Sequence, residues 1–172
     1  WIIEAVNGGY TIKNASVKYY SSDTYLEYYA SKGFCMYTMK DMSDIYVFNF
    51  YDASGVANTG GYVGTRPESG SLPKDGTYVI YNDYAKAVIG PQGGDDSARN
   101  MSVVAAALVD SENDGKAVDA GNGGLIFTFK TYKEDGTTYY SFANNGKYLA
   151  TDENNGDSNA ETLFLQEDLT DY

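Results

Sequence analysis

Three stretches share one pattern: YTIKN at Tyr10–Asn14, YVIYN at Tyr78–Asn82 and YSFAN at Tyr140–Asn144. Each reads aromatic, any residue, Ile or Phe, any residue, Asn. Side chains alternate along an extended strand, so Tyr10, Ile12 and Asn14 share one face, as do their counterparts. A second short strand-like run follows each copy: YLEYY from Tyr25, KAVIG from Lys86 and KYLAT from Lys147. Turn residues such as Asn144-Asn145-Gly146 lie between. Farther on come aromatic-apolar runs: IYVFNFY at Ile45–Tyr51, LIFTFKTY at Leu125–Tyr132 and TLFLQ at Thr162–Gln166. FCMYTM and MSVVAAALV intervene in the first two copies. This predicts a four-strand unit, complete twice and shortened once.

Composition agrees with an all-β chain. Its 172 residues are 42% hydrophobic and 15% aromatic, with 18 Tyr, 19 Gly and only 3 Pro. Tyr, Val, Ile and Phe suit strands; Gly, Asn and Asp suit turns. No run of ten or more residues has helical periodicity. A net charge of −12 disfavours nucleic acid and anionic membrane as partners. No apolar run is long enough to span a membrane. The single Cys35, in GFCMYTM, reads as a small buried hydrophobe. The chain opens on Trp1 without Met, and is expected to be part of a longer protein.

Three divergent copies of a four-strand unit point to a closed β structure with pseudo-threefold symmetry, since closure removes exposed strand edges. Here the chain resembles the β-trefoil superfamily, in particular the ricin-type lectin modules. In these, Tyr-x-Ile-x-Asn is followed by Gly-Lys-Tyr-Leu or a variant; YSFANNGKYLAT at Tyr140–Thr151 is the best match here. The glutamine-x-tryptophan signature of sugar-binding repeats is missing, and Phe48, Phe127 and Phe164 are candidates for its core role. The expected organisation is one β-trefoil-like domain over 1–172, with units at about 1–52, 75–132 and 133–172 and a long loop around 53–74.

A narrower resemblance is to modules appended to large secreted hydrolases of clostridial gut bacteria, some similar to metallophosphoesterases. It rests on YTIKN…YLEYYASKGFCMYT…IYVFNFY and LPKDGTYVIYNDYAKAVI. In those modules the second pattern opens and the first closes, the reverse of the order here. The alternative is therefore two partial modules joined by the Gly- and Ser-rich Ala53–Lys74. Trp1–Glu4 precedes YTIKN much as IFTFK precedes YYSFAN. Trp1–Val6 is thus expected to pair near the last strand and complete the barrel.

With no His in the chain, the usual base of a hydrolytic triad and the commonest zinc ligand are missing. Most carboxylates fall in turn-like clusters, unlike the buried pairs of glycosidases. The expectation is therefore no catalysis by this chain, although a parent protein could be a hydrolase. Asp110, Glu112 and Asp114, followed by Gly115, resemble half a calcium loop. Position twelve is Gly121 rather than Glu, so calcium is a weak candidate and no other cofactor is implied. Met36, Met39 and Met42 read as gap-fillers in or beside the core.

The ricin-type resemblance implies an acidic residue after the hydrophobic pair of the second strand, where Glu27 stands, and an aromatic platform near the third, where Tyr37 stands. Tyr29 joins them in the first unit, and Asp152 marks a separate candidate glycan site in the third. The reading beside it is that these tyrosines line the core and inter-strand surfaces. The implied function is a carbohydrate-binding module in a larger secreted or cell-surface bacterial protein, with host or plant glycans and the parent's other domains as partners. The alternative is a structural accessory domain without a glycan ligand.

Overall fold

A computed structural model describes residues 1–54, 71–93, 100–110, 116–119, 123–151 and 162–167. The protein is all-β. Its strands are β1 (Ile2–Val6), β2 (Gly9–Tyr19), β3 (Ser22–Tyr29), β4 (Gly33–Thr38), β5 (Phe48–Asp52), β6 (Gly76–Asn82) and β7 (Ala87–Gln92). Then follow β8 (Met101–Ala105), β9 (Ala107–Asp110), β10 (Lys116–Asp119), β11 (Ile126–Glu134), β12 (Thr137–Asn144), β13 (Lys147–Thr151) and β14 (Leu163–Gln166). A short 3-10 turn, Asp44–Tyr46, precedes β5.

Seven strands close on themselves by antiparallel pairing: β2 to β3, β4, β8, β7, β6 and β5, then back to β2 through Tyr10 opposite Phe48. A sheet that returns to its starting strand has no free edge along the ring. Further strands extend from it. β11 pairs with β6 and β12, β12 with β13, and β13 with β14, while β1 lies along β2.

The three strands that carry the motif have matching neighbours. β2 leads to the pair β3–β4, β6 to β7–β8 and β12 to β13–β14. Their outer flanks match too: β1 and β5 beside β2, β5 and β11 beside β6, and β11 beside β12. At the remaining flank of β12, Trp1 and Tyr140 exchange two backbone bonds of 2.8 Å. That is the bonding of an antiparallel pair.

One expectation changes here. TLFLQ is not the counterpart of IYVFNFY and LIFTFKTY, because it pairs with KYLAT as FCMYT pairs with YLEYY. The strand set against YSFAN and YTIKN is instead the one that follows Trp1. Trp1 bonds to β12 and, through its Nε1, to Leu149 O of β13, the neighbour of the last strand. An apolar alternating run shows that a strand is present but not which partner it takes.

The Asn residues explain their own recurrence. Asn14 Oδ1 accepts from the Ser16 and Val17 amides at 2.8 and 2.7 Å, at the register shift between β2 and β3. Asn82 Oδ1 accepts from Ala85 N at 2.7 Å, and its Nδ2 reaches the carbonyls of Asp44, Ile45 and Val47 at 3.0–3.2 Å. Asn144 Nδ2 donates to Ile126 O at 2.8 Å. Each motif Asn thus ties its strand to a turn or to the segment entering a neighbouring strand, and the fully buried Asn82 amide stays satisfied.

Ile12, Ile80 and Phe142 are fully buried in one core with Leu26, Phe50 and Phe129. Phe48 and Phe127 are also fully buried, whereas Phe164 is half-buried. Met36 is in the core, Met39 half-buried and Met42 exposed, so gap-filling describes the first of the three. A second cluster, with Tyr51, Val79, Tyr81 and Val88, packs against Val118 of the β9–β10 hairpin. Residues 55–70, the bulk of the expected long loop, lie outside the described residues.

Candidate functional site

On β3 the alternation is resolved by burial. Leu26 is buried in the core and Tyr28 packs against it, leaving Tyr25, Glu27 and Tyr29 on the other face. β4 sets Cys35 opposite Glu27 and Tyr37 opposite Tyr25. The Asp44–Tyr46 turn roofs this face, and the Asn82 side chain holds the turn's carbonyls. Together these elements enclose a recess of about 350 Å³ lined by Glu27, Tyr29, Lys32, Tyr37, Ile45 and Tyr46. That volume lies in the range of small-molecule sites.

Glu27 is 5% exposed and Tyr29 50%. The Cys35 thiol lies 3.6 Å from Glu27 Oε1, and the Tyr46 hydroxyl has one proton to share between that carboxyl and Thr38 O, 3.3 Å away. Burial raises the Glu27 pKa above its ordinary value, against the lowering effect of those two donors and of Lys32. Burial first, and Glu27 second, pushes up both Cys35 and Tyr46, so the thiol is not a thiolate nucleophile. A second carboxylate, as glycosidases need, is not among the lining residues. An aromatic surface extends from the recess. Tyr37 tilts against Tyr19 at 5.6 Å, and Tyr19 meets Tyr20 edge-on at 4.6 Å.

Three of the residues singled out in the sequence, Glu27, Tyr29 and Tyr37, therefore line one recess. Asp152 lies outside the described residues, as do Glu112 and Asp114 of the calcium candidate; Asp110 ends β9, opposite Lys116. Among the described residues, no three Cys, Asp or Glu side chains are grouped to hold a metal ion. No helix among them is long and apolar enough to cross a membrane. The sequence reading missed Tyr46, Ile45 and Lys32. Tyr46 sits in a run that reads as continuous strand, and only the 3-10 turn folds it over Glu27.

A stability effect follows from the Glu27 pKa. A carboxyl whose folded pKa is raised favours the protonated fold, so its contribution is full below the ordinary 4.5 and is lost as pH rises through the folded value. Glu27→Gln keeps the shape without the charge. Its melting temperature is expected to exceed that of the parent at pH 7 and to match it near pH 4. A variant less stable at pH 7 than at pH 4, relative to the parent, contradicts the assigned environment.

Comparison of the chain with protein-family models, with curated proteins and with solved structures finds no match.

Proposed function

We propose that this chain is a non-catalytic carbohydrate-binding module with a β-trefoil-like fold. The fold reading is supported by the same set of strand partners around β2, β6 and β12, with Ile12, Ile80 and Phe142 in one core. The functional reading is carried by one observation: Glu27, Tyr29 and Tyr37 meet in one recess beside Lys32 and Tyr46. Aromatic rings suit the apolar face of a sugar. A carboxylate has about four acceptor sites, so two donors leave capacity for a ligand hydroxyl. Glu27 is reached only from the mouth of the recess, and Tyr29 and Tyr37 carry most of the contact. The module works as part of a longer secreted or cell-surface bacterial protein, on host or plant glycans.

A shallow site of this kind binds weakly, at about millimolar Kd, and gains useful strength through repetition of modules. On an array of galactose-, mannose- and xylose-containing glycans the parent chain is expected to bind at least one class. Tyr37→Ala and Glu27→Gln are expected to weaken that binding about ten-fold or more, the scale of losing one good contact. Unchanged binding by both variants removes the site from this recess, and no binding by the parent chain rejects the carbohydrate reading. A protein-contact role is the second reading, favoured by the exposed Val103, Leu108 and Val109 on β8 and β9.

A further inference from the structure

The aromatic surface of the Glu27 recess does not end at Tyr37. Tyr19 leans against Tyr37 at 5.6 Å and 41°, and Tyr20 meets Tyr19 at 4.6 Å and 80°. Tyr37 lines the recess, so the three rings form a strip leading from it to the tip of the β2–β3 hairpin. Tyr37 and Tyr19 are half-buried. Tyr20 is 73% exposed, the highest value for a large hydrophobic side chain among the described residues.

Tyr20 is held there against the preference of its backbone. Tyr19 pairs with Ser22, so Tyr20 and Ser21 are the two central residues of the hairpin turn, with φ of 45° and 68°. Such a turn favours Asn-Gly or Asp-Gly, and positive φ is unusual for a bulky side chain. The hairpins at Asp135–Gly136 and Asn145–Gly146 use the favoured pairs. Packing does little to offset the strain at Tyr20, because the edge contact with Tyr19 leaves most of the ring in water. Strain kept at an exposed aromatic ring points to a ligand contact rather than to a part in the core.

The shape of the strip selects the form of the ligand. Rings turned by 41° and 80° from their neighbours share no plane, so the flat face of a packed polysaccharide does not fit them. A single chain that twists from one unit to the next can set successive apolar faces against successive rings. We infer that the ligand of the Glu27 recess is a linear oligosaccharide of several units, with one unit in the recess and the chain continuing past Tyr37 and Tyr19 to Tyr20. The inference rests on the carbohydrate reading of the recess and adds to it the length of the ligand and the role of Tyr20.

The test is a calorimetric titration of the whole chain, with amide chemical shifts to map the site, using the bioses and hexaoses of β-1,4-linked xylose, mannose and galactose. In at least one series the hexaose is expected to bind about ten-fold more tightly than the biose, with shifts at Tyr19 and Tyr20 that the biose does not produce. The double variant Tyr20→Asn/Ser21→Gly installs the favoured turn pair and removes the ring. It is expected to melt about 4 °C above the parent and to lose most of the hexaose gain, with biose binding unchanged. Repetition of units along the hexaose is the same for both proteins, so the variant isolates the ring contact. Equal affinity for hexaose and biose at the recess overturns the strip and leaves the proposed function standing; no binding by any oligomer overturns both. A hexaose gain that survives in the variant, loss of biose binding along with it, or a variant that melts below the parent overturns the role given to Tyr20.

Discussion

Phe129→Ala is expected to cost about 3–5 kcal/mol, the range for removing a large aromatic ring from a packed core. Phe129 is fully buried on β11, and its ring meets Phe142 at 4.5 Å, Tyr78 at 4.6 Å and Phe50 at 5.2 Å. Those partners come from β12, β6 and β5, two of them beyond the residues 55–70 that separate the first sequence unit from the rest. One ring thus joins strands from all three units. Urea unfolding followed by tyrosine fluorescence and far-UV circular dichroism should give one transition, moved to lower urea with its slope unchanged. Two separated transitions, with only one moved, would mean independent modules on either side of that segment. A cost below about 1 kcal/mol would mean that this core can collapse around the hole.

Gly9→Ala is expected to cost about 3 kcal/mol, at the upper end for overpacking. A Cβ at Gly9 would lie 2.5 Å from Phe48 O and 3.0 Å from both Asn49 Oδ1 and Val47 Cγ1. The nearest atom belongs to backbone, so relief requires β2 and β5 to separate. Tyr10 opposite Phe48 is the pair through which those strands close the ring. Gly8 provides the comparison: its φ is +85° and nothing lies within 4 Å of its Cβ position, so Gly8→Ala should cost only backbone strain, about 1 kcal/mol. Equal melting temperatures for the two variants would show that the close approach at Gly9 does not matter.

The strands and their inward faces were legible because burial leaves a period-two trace, as in Tyr10, Ile12 and Asn14. The turn at Asn145–Gly146 was equally plain, since both residues take positive φ, as hairpin turns of this type require; Asp135–Gly136, which the reading did not single out, takes the same form. The turn at Tyr20–Ser21 takes the same backbone form with residues that give no such signal. Strand partnership was less legible. TLFLQ looks like IYVFNFY by composition, and only the ladder with KYLAT tells them apart. At the candidate site, β-strand alternation and the ricin-type resemblance pointed to Glu27, Tyr29 and Tyr37. The place of Tyr46 depends on long-range packing, which no local pattern encodes.

The bonds between Trp1 and Tyr140 join residues 139 positions apart in the chain. Contacts of that separation carry a large loop-closure entropy and form after local hairpins such as β3–β4 and β11–β12, which assemble in microseconds. Folding therefore passes through a stage in which this flank of β12 lacks its partner. In that stage its unpaired amides and carbonyls can accept a strand from another molecule as readily as from Trp1. Successful refolding is then a race between a first-order closure and a second-order association, and protein concentration decides the winner.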